Sequence, residues 1–135
     1  MKKKHIVIII VLIAGIVCSY AGYKGIRSFL DLRKYQQQVK EIRIENVDLG
    51  RIPDGIYIGS AEVLWIAAEV KVQVKDHSIV KIDLIKHKNG RGGKAEAIPD
   101  KVVEAQSLQV EAISGATNSS KVILKAIENA LRSGE

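Results

Sequence analysis

The feature that most limits what this chain can become is an uncharged run near its start. Residues 6–23 read IVIIIVLIAGIVCSYAGY, eighteen positions without a charge. As a helix such a run covers about 27 Å, close to the ~30 Å hydrocarbon thickness of a bilayer. A water-soluble amphipathic helix would repeat a polar face every three or four positions, and no such face recurs here. The segment is suited to lipid. Two fates compete for it. Lys2, Lys3 and Lys4 with the apolar residues 6–17 and the small-x-small string Ser19-Tyr20-Ala21 resemble a cleavable leader. The favoured reading is an uncleaved anchor, because eighteen apolar positions are long for a leader core. Cys18 follows the bulky Val17 and reads as a thiol in lipid, not as a lipidation site.

The net charge of +6 suggests nucleic acid until its location is considered. Residues 1–47 hold nine Lys/Arg against three Asp/Glu, a surplus of six that accounts for the whole charge. Residues 48–135 hold twelve of each sign and are electrically neutral. With one Trp and one Phe in the entire chain, that part lacks the basic, aromatic-studded face that nucleic-acid binding uses. A single Cys rules out a disulfide framework and a Cys-rich zinc site. Three scattered histidines cannot form a metal site by local spacing. Lysines and arginines flank the apolar run on both sides in nearly equal number, so charge alone does not orient it.

The organisation read from this pattern has three parts. Residues 1–23 are the anchor or signal sequence. Residues 24–47 form a helical stalk, with a partner-binding helix as the minority reading, since Ile26, Phe29, Leu30, Val39 and Ile42 are spaced among Lys, Arg, Gln and Glu. Residues 48–135 are the soluble domain. Within it, residues 55–62, 64–74 and 79–85 alternate as strands of an antiparallel meander, the polar string Lys75-Asp76-His77-Ser78 turning between the last two. Asn89-Gly90-Arg91-Gly92-Gly93 lacks the spacing of a phosphate loop and reads as a flexible turn. Pro99 opens a helix over residues 100–107. A second helix over 118–132 carries Val122, Ile123, Ala126, Ile127, Ala130 and Leu131 as one apolar stripe. The expected fold is α+β: a small antiparallel sheet with two C-terminal helices, preceded by one transmembrane helix.

The chemistry concentrates between those helices. Glu111, Ser114, Gly115, Ala116, Thr117, Asn118, Ser119 and Ser120 bring small residues and hydroxyls to a helix entry. Free N–H groups and the helix dipole make such an entry receptive to anions. A serine-rich N-cap without a ligand is the plainer account of the same residues. The string Ser114-Gly115-Ala116-Thr117, with an acid at 111 and Ser119-Ser120 following, resembles the flavinylation motif of the FMN-binding domain family. That family includes peripheral flavin-carrying subunits of Rnf complexes and of sodium-translocating NADH:quinone reductases. Asp54-Gly55-Ile56-Tyr57-Ile58-Gly59 is similar to the family's opening DGxYxG, and Ala105-Gln106-Ser107 to its lead-in to the motif. The resemblance covers residues 52–132. Position 111 is Glu where the family usually has Asp, and 119 is Ser where Thr is common.

The resemblance implies FMN esterified through its phosphate to Thr117 by a dedicated flavin transferase that acts outside the cytoplasm. It implies a single-pass membrane protein with its domain extracytoplasmic, passing electrons to redox partner proteins. No acid–base pair stands beside the motif, which fits an electron-transfer component better than a stand-alone enzyme. Two other classes stay open: an FMN-free envelope interaction module, and a reductase domain holding FMN non-covalently. Tyr57 and Trp65 are candidates to stack on the flavin ring, with packing an equal alternative. His87 reads as an exposed strand-end histidine before a flavin contact.

Overall fold

The computed structural model describes residues 2–135. Its helices and strands are α1 (Lys2–Glu41), β1 (Gly55–Val63), β2 (Ile66–Lys75), β3 (Ser78–Lys88), α2 (Ile98–Ala105) and α3 (Thr117–Arg132). Short 3-10 turns occupy Leu49–Arg51 and Gly93–Ala97. The architecture is the expected α+β fold. The chain separates into two compact units, one ending at Lys34 and the other spanning Tyr35–Glu135.

In the first unit the apolar side chains from Ile6 to Tyr23 are exposed, and none of the apolar window of α1 is buried by protein. The helix is long and apolar enough to cross a membrane. Exposure on this scale is unfavourable in water and natural in lipid.

In the second unit three strands pair antiparallel in the order β1-β2-β3. The β2–β3 pairing ends at Lys75↔Ser78, leaving Asp76 and His77 as a two-residue turn with φ of 49° and 59°. Positive φ at both central positions matches the twist of the flanking strands. Asp54 supports this turn by accepting the Asp76 N–H at 2.8 Å. The β1–β2 pairing ends at Val63↔Ile66, so Leu64 and Trp65 form the other turn. Sequence reading assigns both residues to the second strand, because neither carries a turn signal. The turn is held from outside: the Leu64 N–H donates to Gln38 Oε1 of α1 at 3.2 Å.

Val70, Val72 and Val74 point from β2 into the core, where they meet the apolar stripe of α3. Each such side chain, fully buried, contributes about 1.5–3 kcal/mol. Helix α3 lies so close on β1 that a Cβ at Gly59 would overlap the Ala126 carbonyl and the Ala130 nitrogen. Helix α2 packs on β3 and ends at Gln106, whose φ of 50° is left-handed. The Gln106 amide then pairs with the Ile79 backbone, accepting its N–H and donating to its carbonyl, both at 2.8 Å. A side chain thus occupies β3 where a fourth strand would begin.

The core begins earlier than Asp48. Val39 and Val47 are buried, and Tyr35, Ile42 and Ile44 are partly buried against the core. Tyr35, Gln38, Val39 and Ile42 fall at helical spacing, so one face at the end of α1 belongs to the domain. The link that follows is tied down by Glu128, whose side chain is only 2% exposed. Its carboxylate accepts from the Glu45 N–H at 3.2 Å, Lys125 Nζ at 3.1 Å and Arg132 Nε at 2.9 Å.

Candidate functional site

The motif folds as a turn running into a helix. The Ala116 N–H donates to the Ile113 carbonyl at 2.9 Å, and Gly115 between them has φ of +78°. A four-residue turn with positive φ at its third position wants glycine there. The first helical bond of α3 runs from the Ser120 N–H to the Ala116 carbonyl at 2.9 Å. The N–H groups of Thr117, Asn118 and Ser119 therefore lie in the first turn, where a helix has no partners of its own to give.

Hydroxyls are plentiful here, yet the N-cap residue is Ala116 and no side chain caps the helix. Ser120 is buried and serves the turn instead, accepting the Ile113 N–H at 3.0 Å and donating to the Ala116 carbonyl at 2.8 Å. Thr117 is exposed. Capping is thus not what these hydroxyls do, contrary to the plainest account of a Ser/Thr-rich entry.

A cavity of ≈ 230 Å³ is lined by Gly115, Ala116, Asn118 and Ser119 on the motif side, the residues flanking Thr117, while Thr117 itself is exposed and not part of the lining. Gly90, Arg91 and Gly92 form a second wall. Gly92 is buried so tightly on α3 that a Cβ would overlap Ser119 Oγ, so the loop is pinned to the helix at this residue while Gly90 and Arg91 stay exposed. Tyr35, Trp65 and Ile66 form the third. The Tyr35 and Trp65 rings stand 4.9 Å apart between centroids, tilted by 34°. Asn118 Nδ2 donates to the Tyr35 hydroxyl at 2.9 Å. Of the described lining residues, Arg91 alone is charged. Aromatic and glycine walls suit a flat ring, and the uncapped helix start beside an exposed hydroxyl suits a phosphate. The residues present fit a flavin nucleotide.

The other residues singled out in the sequence lie elsewhere. Glu111 and Ser114 are exposed and do not line the cavity. Tyr57 donates to the Pro53 carbonyl at 2.7 Å, with its ring against Gly134. It fastens the entry to β1 near Pro53 to the end of the chain at Gly134. The His87 side chain is 2% exposed, which corrects its reading as an exposed strand-end residue. It faces inward opposite Ala68, with Nδ1 at 3.1 Å from both Glu96 Oε1 and Asn89 Nδ2, and Nε2 buried without a partner. Simple alternation from Ile82 and Leu84 would turn His87 outward; the register shift opposite Glu69 and Val70, which leaves Ile85 as an extra residue, turns it in. Tyr35 and the Gly90–Arg91–Gly92 wall are the site residues that sequence reasoning missed.

A larger open groove of ≈ 580 Å³ is lined by Gln38, Glu41, Arg43, Glu45, Lys125 and Arg132 among others. It holds none of the motif, and its charges are largely engaged with one another around Glu128.

Set against known protein families, residues 64–132, half of the 135-residue chain, match the FMN-binding domain family. No curated protein matches the chain.

Proposed function

The chain belongs to the FMN-binding domain family, and on that premise we propose that it carries FMN covalently through a phosphoester to Thr117. In this reading it is a single-pass, extracytoplasmic flavoprotein that relays electrons between redox proteins. The observation that carries it is an exposed Thr117 at an uncapped helix start, beside a cavity with aromatic and glycine walls.

Bound FMN supplies the redox chemistry through its isoalloxazine. The chain's own residues hold and orient it. Thr117 Oγ would be the atom esterified, losing its proton as the transferase breaks the phosphoanhydride of a flavin dinucleotide donor and the other nucleotide monophosphate leaves. The first-turn N–H groups of α3 would receive the phosphate oxygens. The helix dipole favours that anion by about 0.3–1 kcal/mol, up to ~2 if partly buried. Such a term would not retain a cofactor against dilution, whereas a covalent bond does. Ser120 keeps the turn in register, so the attachment residue has a fixed bearing on the cavity. A flavin transferase outside the cytoplasm requires an exported domain, with Lys2, Lys3 and Lys4 on the inner side. A reporter active only after export, fused after Glu135, checks this orientation; activity of a cytoplasmic reporter alone would overturn it.

The chemical test is co-expression of the whole chain with a flavin transferase. Denaturing gels should show flavin fluorescence at the protein band. The tryptic peptide of residues 102–121 should carry a single FMN phosphoester increment. Thr117→Ala should lose both while keeping its melting transition, since only an exposed hydroxyl and methyl are removed. Covalent flavin persisting in that variant moves the site to Ser114, Ser119 or Ser120. Colour lost on denaturation indicates non-covalent FMN, and no flavin at all indicates the interaction module.

A further inference from the structure

The family match begins at residue 64, yet one side chain lining the cavity, Tyr35, comes from before it. Tyr35, on α1, is thirty positions from Trp65 and eighty-three from Asn118, and touches both. Trp65 is 46% exposed at the tip of a two-residue turn. A tryptophan placed for core packing would be covered; this one is braced on one side by Tyr35 and open on the cavity side. The centroid separation of 4.9 Å lies within the usual 4.5–7 Å range for aromatic pairs. Three of the other lining residues, Gly90, Gly92 and Gly115, bring no side chains into the space, and Arg91, Ala116, Asn118 and Ser119 stand among them.

We propose that Tyr35 and Trp65 form the seat of the isoalloxazine ring, and that the Tyr35 hydroxyl, by holding Asn118, fixes the threonine before it relative to that seat. Helix α1 thereby completes a cofactor site that the matched residues alone leave short of one aromatic ring. This rests on Thr117 as the attachment point. Trp65 is a binding residue in the arrangement. Tyr35 is both a binding and a positioning residue, through its ring and its hydroxyl respectively. The physical consequence is optical. Electron-rich indole and phenol rings in contact with a flavin quench its emission, and a seated ring tumbles with the protein.

The test uses the full chain in detergent, loaded with FMN by a co-expressed flavin transferase. Emission per covalently bound flavin is compared before and after denaturation, with time-resolved anisotropy as the second readout. The wild type should emit several-fold less folded than unfolded and show no fast ring motion. Trp65→Leu should recover most of that emission; its side chain is exposed enough for the fold to survive. Tyr35→Phe keeps the ring and releases Asn118, so it should restore fast motion with partial quenching, and Asn118→Ala should reproduce it. Equal emission in the wild type and Trp65→Leu overturns the seat. A Tyr35→Phe variant as rigid as the wild type overturns the role of the hydroxyl. If Thr117 carries no covalent flavin, the attachment reading fails separately, and free FMN becomes the probe. Quenching of added FMN by the wild type but not by Trp65→Leu then supports the seat, and no quenching overturns it.

Discussion

Gly92 and Ser119 meet without room for a methyl group, and that contact joins the two halves of the site. Gly92→Ala must push the loop away from α3, at a cost of about 1–3 kcal/mol for overpacking a buried position. It should lower the melting midpoint and reduce flavin loading together. Gly93→Ala is the internal comparison, because the nearest atom to its new methyl is Asn89 Oδ1 at 4.0 Å, and neither property should move. Glu128 offers a second residue-level prediction. Burial alone would raise its pKa, but hydrogen bonds from Arg132, Lys125 and the Glu45 N–H outweigh that and hold it below the ordinary 4.5. The folded state therefore binds this proton less readily than the unfolded state. The stabilisation is complete above about pH 4.5 and drains away as pH falls through the lower folded value. Urea midpoints of the wild type and Glu128→Gln should differ at neutral pH and converge in acid. A gap that persists well below the folded value would mean that shape, not charge, fastens residues 42–47.

At the scale of elements, α3 is both the floor of the core and the start of the site, so damage at one end should spare the other. Ile127 is fully buried against the sheet, two turns and more beyond Thr117. Ile127→Ala should cost about 2–5 kcal/mol. Covalent flavin per folded molecule should stay near the wild-type level at low temperature, measured by gel fluorescence after removal of unfolded chain. These elements were legible because the physics that forms them is local. The alternation of Val70, Val72 and Val74 and the stripe from Val122 to Leu131 are visible in the order of residues, and the motif at 114–120 announces its own helix entry. The turn at Leu64 and Trp65 was not legible, since its support comes from Gln38, twenty-six positions away. The other half of the cavity was hidden for the same reason. A tyrosine among lysines and glutamines reads as stalk, and three glycines in five positions read as slack. Only the third dimension shows that both meet the first turn of α3, at Asn118 and Ser119.

At the scale of the whole molecule, the question is where the domain begins. Reading the sequence places the boundary at Asp48, because residues 35–47 scatter their apolar positions among charges. The compact unit starts instead at Tyr35. A fragment of residues 48–135 would lose the buried Val39 and Val47, the Tyr35 ring beneath Trp65, the Gln38 bond to the β1–β2 turn, and the Glu45 N–H on Glu128. Fully burying a single valine is worth about 1.5–3 kcal/mol, against a total stability of about 5–15 kcal/mol for a typical domain. The missing contacts are thus a large fraction of what holds the fold. Residues 35–135 should unfold in urea as one cooperative transition, whereas 48–135 should have a much lower midpoint or none. Glu128 adds a diagnostic. In the longer fragment Glu128→Gln should lower the midpoint through loss of the link, and in the shorter one, without Glu45, it should matter less. Equal midpoints for the two fragments would mean that the end of α1 rests on the domain without stabilising it. The aromatic wall would then be a contact that the flavin, not the apoprotein, has to hold in place.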